Sequence, residues 1–279
     1  MSYLGMAALE LTLLGLLSGI AGTLIVLRRR AFFAVALSHA TFPGGVVFAV
    51  LGWNLLLGQA VFAGLLVIAL TLLSRIPGQG RQVASGVVLS FGFALGTLLA
   101  SLNPGLGIPV EALLVGSPLS VDGANIFATA GVLAVALVLG ATFRRAILFQ
   151  TFDPRGFSAA GFRSWPVDAV AVGLIAAGVV VAMPAVGAIL GVAVLVGPAA
   201  AARLIAPRLP WVPPIAAALG IAGGLAGLWA SRVFDIAAGG AIGLAMAAIY
   251  VLALGSRSVL IRRGAADDAG SARSMKEFA

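Results

Sequence analysis

The chain has no cysteine, one lysine and one histidine, and only 9% of its 279 residues are charged. Without cysteine it can form neither a disulfide nor a thiolate metal site. The lysine, Lys276, lies close to the C-terminus. A Walker A loop needs a lysine directly after its glycines, and no glycine-rich stretch here supplies one, so the chain cannot hydrolyse ATP by itself. An H-E-x-x-H metalloprotease needs paired histidines, which His39 alone cannot provide. Soluble domains carry roughly 25% charged residues. This chain is instead 61% hydrophobic, with a mean hydropathy of +1.15, which makes it an integral membrane protein. Its net charge of +8 belongs to loops at one membrane surface rather than to nucleic-acid binding. Met1 to Leu27 lacks a basic leader and is followed by three arginines instead of a small-residue cleavage site, so it reads as a retained span.

Hydropathy and helix breakers predict about nine spans, near residues 5–27, 32–51, 60–74, 83–101, 124–142, 167–183, 186–205, 211–230 and 239–255. The expected fold is an all-α polytopic bundle with its second helix broken at Pro43. It forms a single transmembrane domain over residues 1–255, with a short disordered cytoplasmic tail over 256–279. If the spans alternate, every lysine and arginine except Arg232 falls on one side. That asymmetry places the N-terminus outside and the C-terminus in the cytoplasm. Glu111, Asp122 and Asp235 then lie outside, and Glu10 lies about one turn inside the outer surface. A negative outer face concentrates cations, although each carboxylate taken singly also reads as an ordinary loop charge. The proline- and glycine-rich loop Asn103–Asp122 holds Val110–Val115, a candidate short re-entrant or surface helix. The pairs Gly15/Gly19, Gly92/Gly96, Gly187/Gly191, Gly220/Gly224 and Gly239/Gly243 predict close helix approach.

The segment Arg28–Gly45, RRRAFFAVALSHATFPGG, carries the only histidine. Pro43 has no N–H to give to the carbonyl four residues back, that of His39. A metal-binding ring and a freed carbonyl would then meet at one bend, with Ser38 adding a hydroxyl and Gly44 and Gly45 permitting close backbone approach. At about 1.5 Å per residue, His39 sits roughly 13 Å past Arg30, near the bilayer middle. An ionisable residue there is a functional candidate. The competing reading is a packed histidine that donates to a helix carbonyl.

The longest basic-side loop is Arg144–Pro166. Asp153-Pro154 can open a short helix with proline at its first position, and Gly161 or Pro166 can end it. Phe157, Ala160 and Phe162 offer apolar contacts. Such a helix either docks into a groove of a soluble partner or rests on lipid headgroups.

Three stretches together resemble one family, the metal-ion permeases of bacterial ATP-binding-cassette importers of the zinc, manganese and chelated-iron type. They are VLRRRAFFAVALSHATFPGGV, the loop from Asp153 to Gly161, and VGAILGVAVLVGPAAAARLIA at residues 186–206. The last span, FDIAAGGAIGLAMA, is similar too, although Ala237 and Ala238 stand near a usual proline. The resemblance covers about residues 8–255 and implies a multi-pass permease of the bacterial plasma membrane. It further implies a permease homodimer, a cytoplasmic ATPase that supplies the energy, and an extracytoplasmic metal-binding protein. Asp153, Pro154, Phe157, Ala159, Ala160, Gly161 and Phe162 would form the ATPase-coupling loop. His39 would stand on the metal path, with Ser38, Pro43, Gly44 and Gly45 forming its gate. Many members carry an aspartate four residues before the histidine, and here that position is Val35. Imidazole without carboxylate favours zinc over manganese. No cofactor is expected on this chain, only the transported divalent metal. The alternatives are a permease for a metal chelate or non-metal cargo, and a secondary carrier. A secondary carrier needs midplane acids, and only His39 is ionisable there.

Overall fold

In lipid every backbone polar group must be satisfied within the chain, which leaves helices as the way for these apolar stretches to cross. The structure, a computed structural model, describes residues 2–73, 81–104 and 116–277. Ser2 caps the first helix by accepting from Gly5 N at 3.2 Å. Helix α1 (Tyr3–Leu17), a π-helical turn (Ser18–Gly22) and α2 (Thr23–Leu27) make one 25-residue rod. Helices α3 (Ala31–Ala40) and α4 (Phe42–Val50) form the second span, with the joint at Thr41 and Pro43 inside the first turn of α4. Helices α5 (Leu55–Leu73) and α6 (Arg81–Ser101) follow. Helix α7 (Gly123–Phe152) is capped by Asp122, which accepts from Asn125 N at 2.8 Å. A short helix, α8 (Pro154–Ala159), precedes α9 (Ser164–Ile205), α10 (Val212–Phe234) and α11 (Ala238–Glu277).

Eight stretches among the described residues are long and apolar enough to span. The 42 residues of α9 would reach roughly 63 Å if straight, about twice a hydrocarbon core. They are not straight. Gly187 has φ 76° and ψ 171°, a conformation essentially closed to residues with a Cβ. Across it the chain doubles back, because a methyl on Gly191 would sit 3.6 Å from Ala182 Cβ. Nine residues apart on a straight helix would be about 13 Å. The two arms, residues 164–186 and 188–205, are therefore the two separate crossings expected there, and the bundle has about nine.

The arms of α9 and the α1–α2 rod are the most deeply buried crossings. They pack on α3, α7, α10 and α11, while α5, α6 and α7 turn Leu65, Ile68, Phe91 and Leu137 outward. Lipid tails are as apolar as these side chains, so tight packing rather than water exclusion holds the helices together. The expected small-residue contacts supply it. A methyl on Gly15 would fall 2.9 Å from Gly220, and one on Gly92 would fall 2.6 Å from Ala40 Cα, behind the His39 helix. Gly187 departs from that pattern, serving as the turn and not as a helix–helix contact.

Helix α11 is drawn on through residues 256–277. Val110–Val115 and Glu111 lie outside the described residues.

Candidate functional site

The residues around His39 are set by the broken second span. Pro43 has no N–H, and both Gly44 N (3.1 Å) and Gly45 N (3.4 Å) reach back to Thr41 O. The break thus falls at Thr41, two residues ahead of the proline, because a proline is well accommodated in the first turn of a new helix. Ser38 and Thr41 are buried, and the Thr41 hydroxyl lies 3.2 Å from Ser38 O and 3.4 Å from Met183 Sδ on α9. Gly44 is a contact between helices: a methyl there would overlap Gly58 O of α5. Gly45 and Pro43 are buried beside it.

His39 itself is half-buried and shares a stripe of α3 with Phe32 and Val35. Its Nδ1 lies 3.0 Å from Val35 O, which also accepts from Ser38 Oγ at 2.9 Å. The Ser38 hydroxyl also lies 3.1 Å from Nδ1; in the tautomer that donates from Nδ1 to the Val35 carbonyl, which only accepts, Nε2 keeps its lone pair. Metal-ligating histidines show this arrangement, with one nitrogen donating to a carbonyl and the other free for the ion. It also satisfies the competing reading of a packed histidine, so the two readings differ only in what Nε2 meets. Phe93 of α6 approaches edge-on at 6.4 Å between ring centroids. No group of three or more His, Cys, Asp or Glu that could hold a metal occurs among the described residues.

The second cluster lies where the arginines gather. Asp153 accepts from Gly156 N at 2.8 Å, Pro154 starts α8, and Gly161 at φ 80° follows its end. Phe157 turns inward: it is 3% exposed and packs on Phe149 (5.4 Å) and Phe162 (5.2 Å). It therefore anchors α8 to the rest of the bundle, and its ring is not on the exposed face of that helix. The outward face comprises Ser158, Ala159, Ala160 and Phe162, with Phe152 and Trp165 exposed nearby. Beside α8 a cavity of about 610 Å³ is lined by Arg28, Arg29, Arg30, Arg203 and Asp168. Four guanidinium groups against one carboxylate lower the local concentration of cations.

Sequence reasoning missed the groups that tie these clusters together. Arg28, whose side chain is 7% exposed, donates to Asp168 on α9 and to Gln150 Oε1 (2.8 Å) on α7. Gln150 Nε2 in turn donates to Ser164 O at 3.0 Å. The partners lie 122 and 140 residues from Arg28, beyond any local pattern; the polar Gln150 and Asp168 at the ends of apolar helices were the only signal. Glu10 is likewise corrected. It does not face a vestibule but is 1% exposed, accepting from Thr129 Oγ1 at 2.7 Å. Asp122 and Asp235 remain exposed.

Residues 1–257 match the profile described as the ABC 3 transport family. The chain is similar to the manganese transport system membrane protein MntC of Halalkalibacterium halodurans, at 31% identity over 90% of this chain and 86% of that one. It is also similar to the manganese import system permease protein ScaB of Streptococcus gordonii, at 30% identity over 90% of both chains. Among solved structures, a chain of PsaBC from Streptococcus pneumoniae in complex with Fab superposes with a TM-score of 0.80. That chain shares 29% identity, with 91% of each chain covered.

Proposed function

Because the chain belongs to the ABC 3 transport family and is the permease subunit of a divalent-metal ABC importer whose ATPase is a separate component, we propose that it passes manganese along a path that includes His39. The observation that carries this reading is the His39 imidazole, with Nδ1 held by Val35 O and Nε2 left for an ion on the half-buried stripe of α3. Manganese comes first because the similar permeases bear that cargo in their names. Zinc is the second reading, favoured by Val35 standing where a carboxylate would suit manganese. A lone imidazole binds weakly, which suits transit, since tight binding slows release.

Two copies facing each other would double the imidazoles, so a homodimer completes the path. Ser38 and Thr41 line the joint, while Pro43, Gly44 and Gly45 shape the wall that the gate works against. The arginine end is cytoplasmic by the charge rule. There α8 docks on the ATPase through Ser158, Ala159, Ala160 and Phe162, and the basic cavity discourages return of the ion. An extracytoplasmic metal-binding protein delivers the cargo at the opposite end.

Uptake of radioactive manganese and zinc into vesicles, normalised to folded protein, tests the path. His39→Ala and His39→Gln should both reduce uptake, by about tenfold or more for loss of a metal ligand. Near-wild-type uptake in His39→Gln would show that the ring only packs. Val35→Asp should raise the manganese-to-zinc ratio, and an unchanged ratio would put the path on another face.

A further inference from the structure

The two clusters are distant in sequence yet joined by one guanidinium. Arg28 ends the first span. Arg29, at φ 53°, holds the left-handed conformation that a side chain rarely adopts. Arg30 N closes the turn on Ile25 O at 2.8 Å, and α3 then carries the chain to His39. This turn resembles a helix C-cap in which glycine is usual. The arginine there keeps the cationic run unbroken and turns Arg28 inward. From that point Arg28 reaches both roots of the α8 loop, since Gln150 lies three residues before the Asp153 cap and Asp168 lies in the first turns of α9. Gln150 closes the loop by bonding Ser164 O. The three elements that meet are therefore the base of α8, the start of α9 and the joint leading into the His39 helix.

One atom of the network stands out. Arg28 Nε is buried and has no hydrogen-bond partner among the described residues. Asp168 Oδ1 takes Arg28 Nη1, with Arg30 3.9 Å from the same oxygen, while Gln150 Oε1 accepts from Arg28 Nη2. Nε–H and Nη2 share one edge of the planar guanidinium, so a small shift of α7 against the turn before α3 lets Gln150 Oε1 accept from both, which is a second bonded arrangement. Two discrete bonded arrangements of a buried guanidinium are what a coupling element requires.

We propose that Arg28, with Gln150 and Asp168, is the positioning element that transmits movement of the ATPase-docked α8 to the His39 helix. The proposal rests on the reading that α8 docks the ATPase and that His39 lies on the ion path. It assigns to Arg28 no contact with the ion or with the ATPase. Its role is to keep α3 and the α8 base moving as one body, so that ATP hydrolysis is converted into opening at His39.

The test uses the permease–ATPase complex reconstituted with its metal-binding protein in proteoliposomes, and the readout is manganese ions imported per ATP hydrolysed. Gln150→Met keeps shape and removes only the amide. Arg28→Lys keeps the charge and removes the fork. Both should assemble and hydrolyse ATP within about twofold of wild type while ions per ATP fall roughly tenfold, the scale of one lost charge-assisted bond. Asp168→Glu should recover most of the ratio that Asp168→Asn loses. Combining Gln150→Met with Arg28→Lys should cost less than the sum of the two, since they act on one network. An unchanged ratio in Gln150→Met, or an equal fall in uptake and hydrolysis that leaves the ratio intact, would overturn the proposal. Phe157→Asp serves as the separate control. If uptake and stimulated hydrolysis persist there, the docking reading fails and this proposal with it. If they are lost there while Gln150→Met is normal, only the relay fails.

Discussion

At the residue scale, the chemistry of this permease rests on a few polar side chains whose partners are chosen by burial. Glu10 is a carboxyl in the core of the first span. Its Oε1 accepts from Thr129, and its Oε2 has no partner among the described residues. An unsatisfied buried group costs about 1–3 kcal/mol, and removing one side of a pair orphans the other. Thr129→Val, which keeps volume and deletes the donor, should therefore destabilise the permease by about 1–3 kcal/mol. Glu10→Gln keeps the shape and still offers an oxygen to Thr129, so it should cost less. Thermal unfolding of the detergent-solubilised protein ranks the two, and equal stability of Thr129→Val and wild type would mean that the bond contributes nothing. His39 shows the same principle in another role, because an Nδ1–H held by Val35 O leaves the ring one lone pair to use.

At the scale of elements, α8 is a six-residue helix that could not persist alone, since isolated short helices are marginal in water. It persists because Asp153 caps it, Pro154 starts it and Phe157 pins it against Phe149 and Phe162. Phe157→Asp would bury a charge in that aromatic pocket, an expensive placement. The expected outcome is a permease that inserts normally while α8 shifts from its seat and co-purification with the ATPase falls. Full retention of the ATPase would remove α8 as the docking element. The hairpin of α9 is held in a comparable way by one residue. Gly187→Ala would force a Cβ into φ 76°, destabilising the turn by roughly 1–3 kcal/mol.

At the scale of the whole molecule, Arg28, Arg29, Arg30 and Arg203 line one cavity beside α8, the end that the charge rule reads as cytoplasmic, and glycine contacts bring the helices close. This arrangement makes the topology directly testable. The chain has no native cysteine, so Ser158→Cys is a unique label on the exposed face of α8. It should react with a membrane-permeant thiol reagent and resist an impermeant one added to intact cells. Labelling from outside would invert the whole assignment, placing the arginine cavity and α8 on the delivery side.

The sequence by itself determined the features that depend on short stretches of chain. Composition established a membrane protein, runs of apolar residues placed about nine crossings, and Asp153-Pro154 marked the start of α8, with Gly161 one of two candidates for its end. Each follows from local physics: transfer of apolar side chains into lipid, capping of a helix start, and a backbone conformation that glycine tolerates. Only the tertiary structure decided what each element faces. It turned Phe157 inward, placed Gly44 against Gly58, seated Glu10 on Thr129 and put Arg28 between Gln150 and Asp168. Those outcomes depend on packing between segments more than a hundred residues apart in the farthest cases. They also occur where lipid offers apolar side chains no preference between core and surface, so the hydropathy pattern holds no record of them.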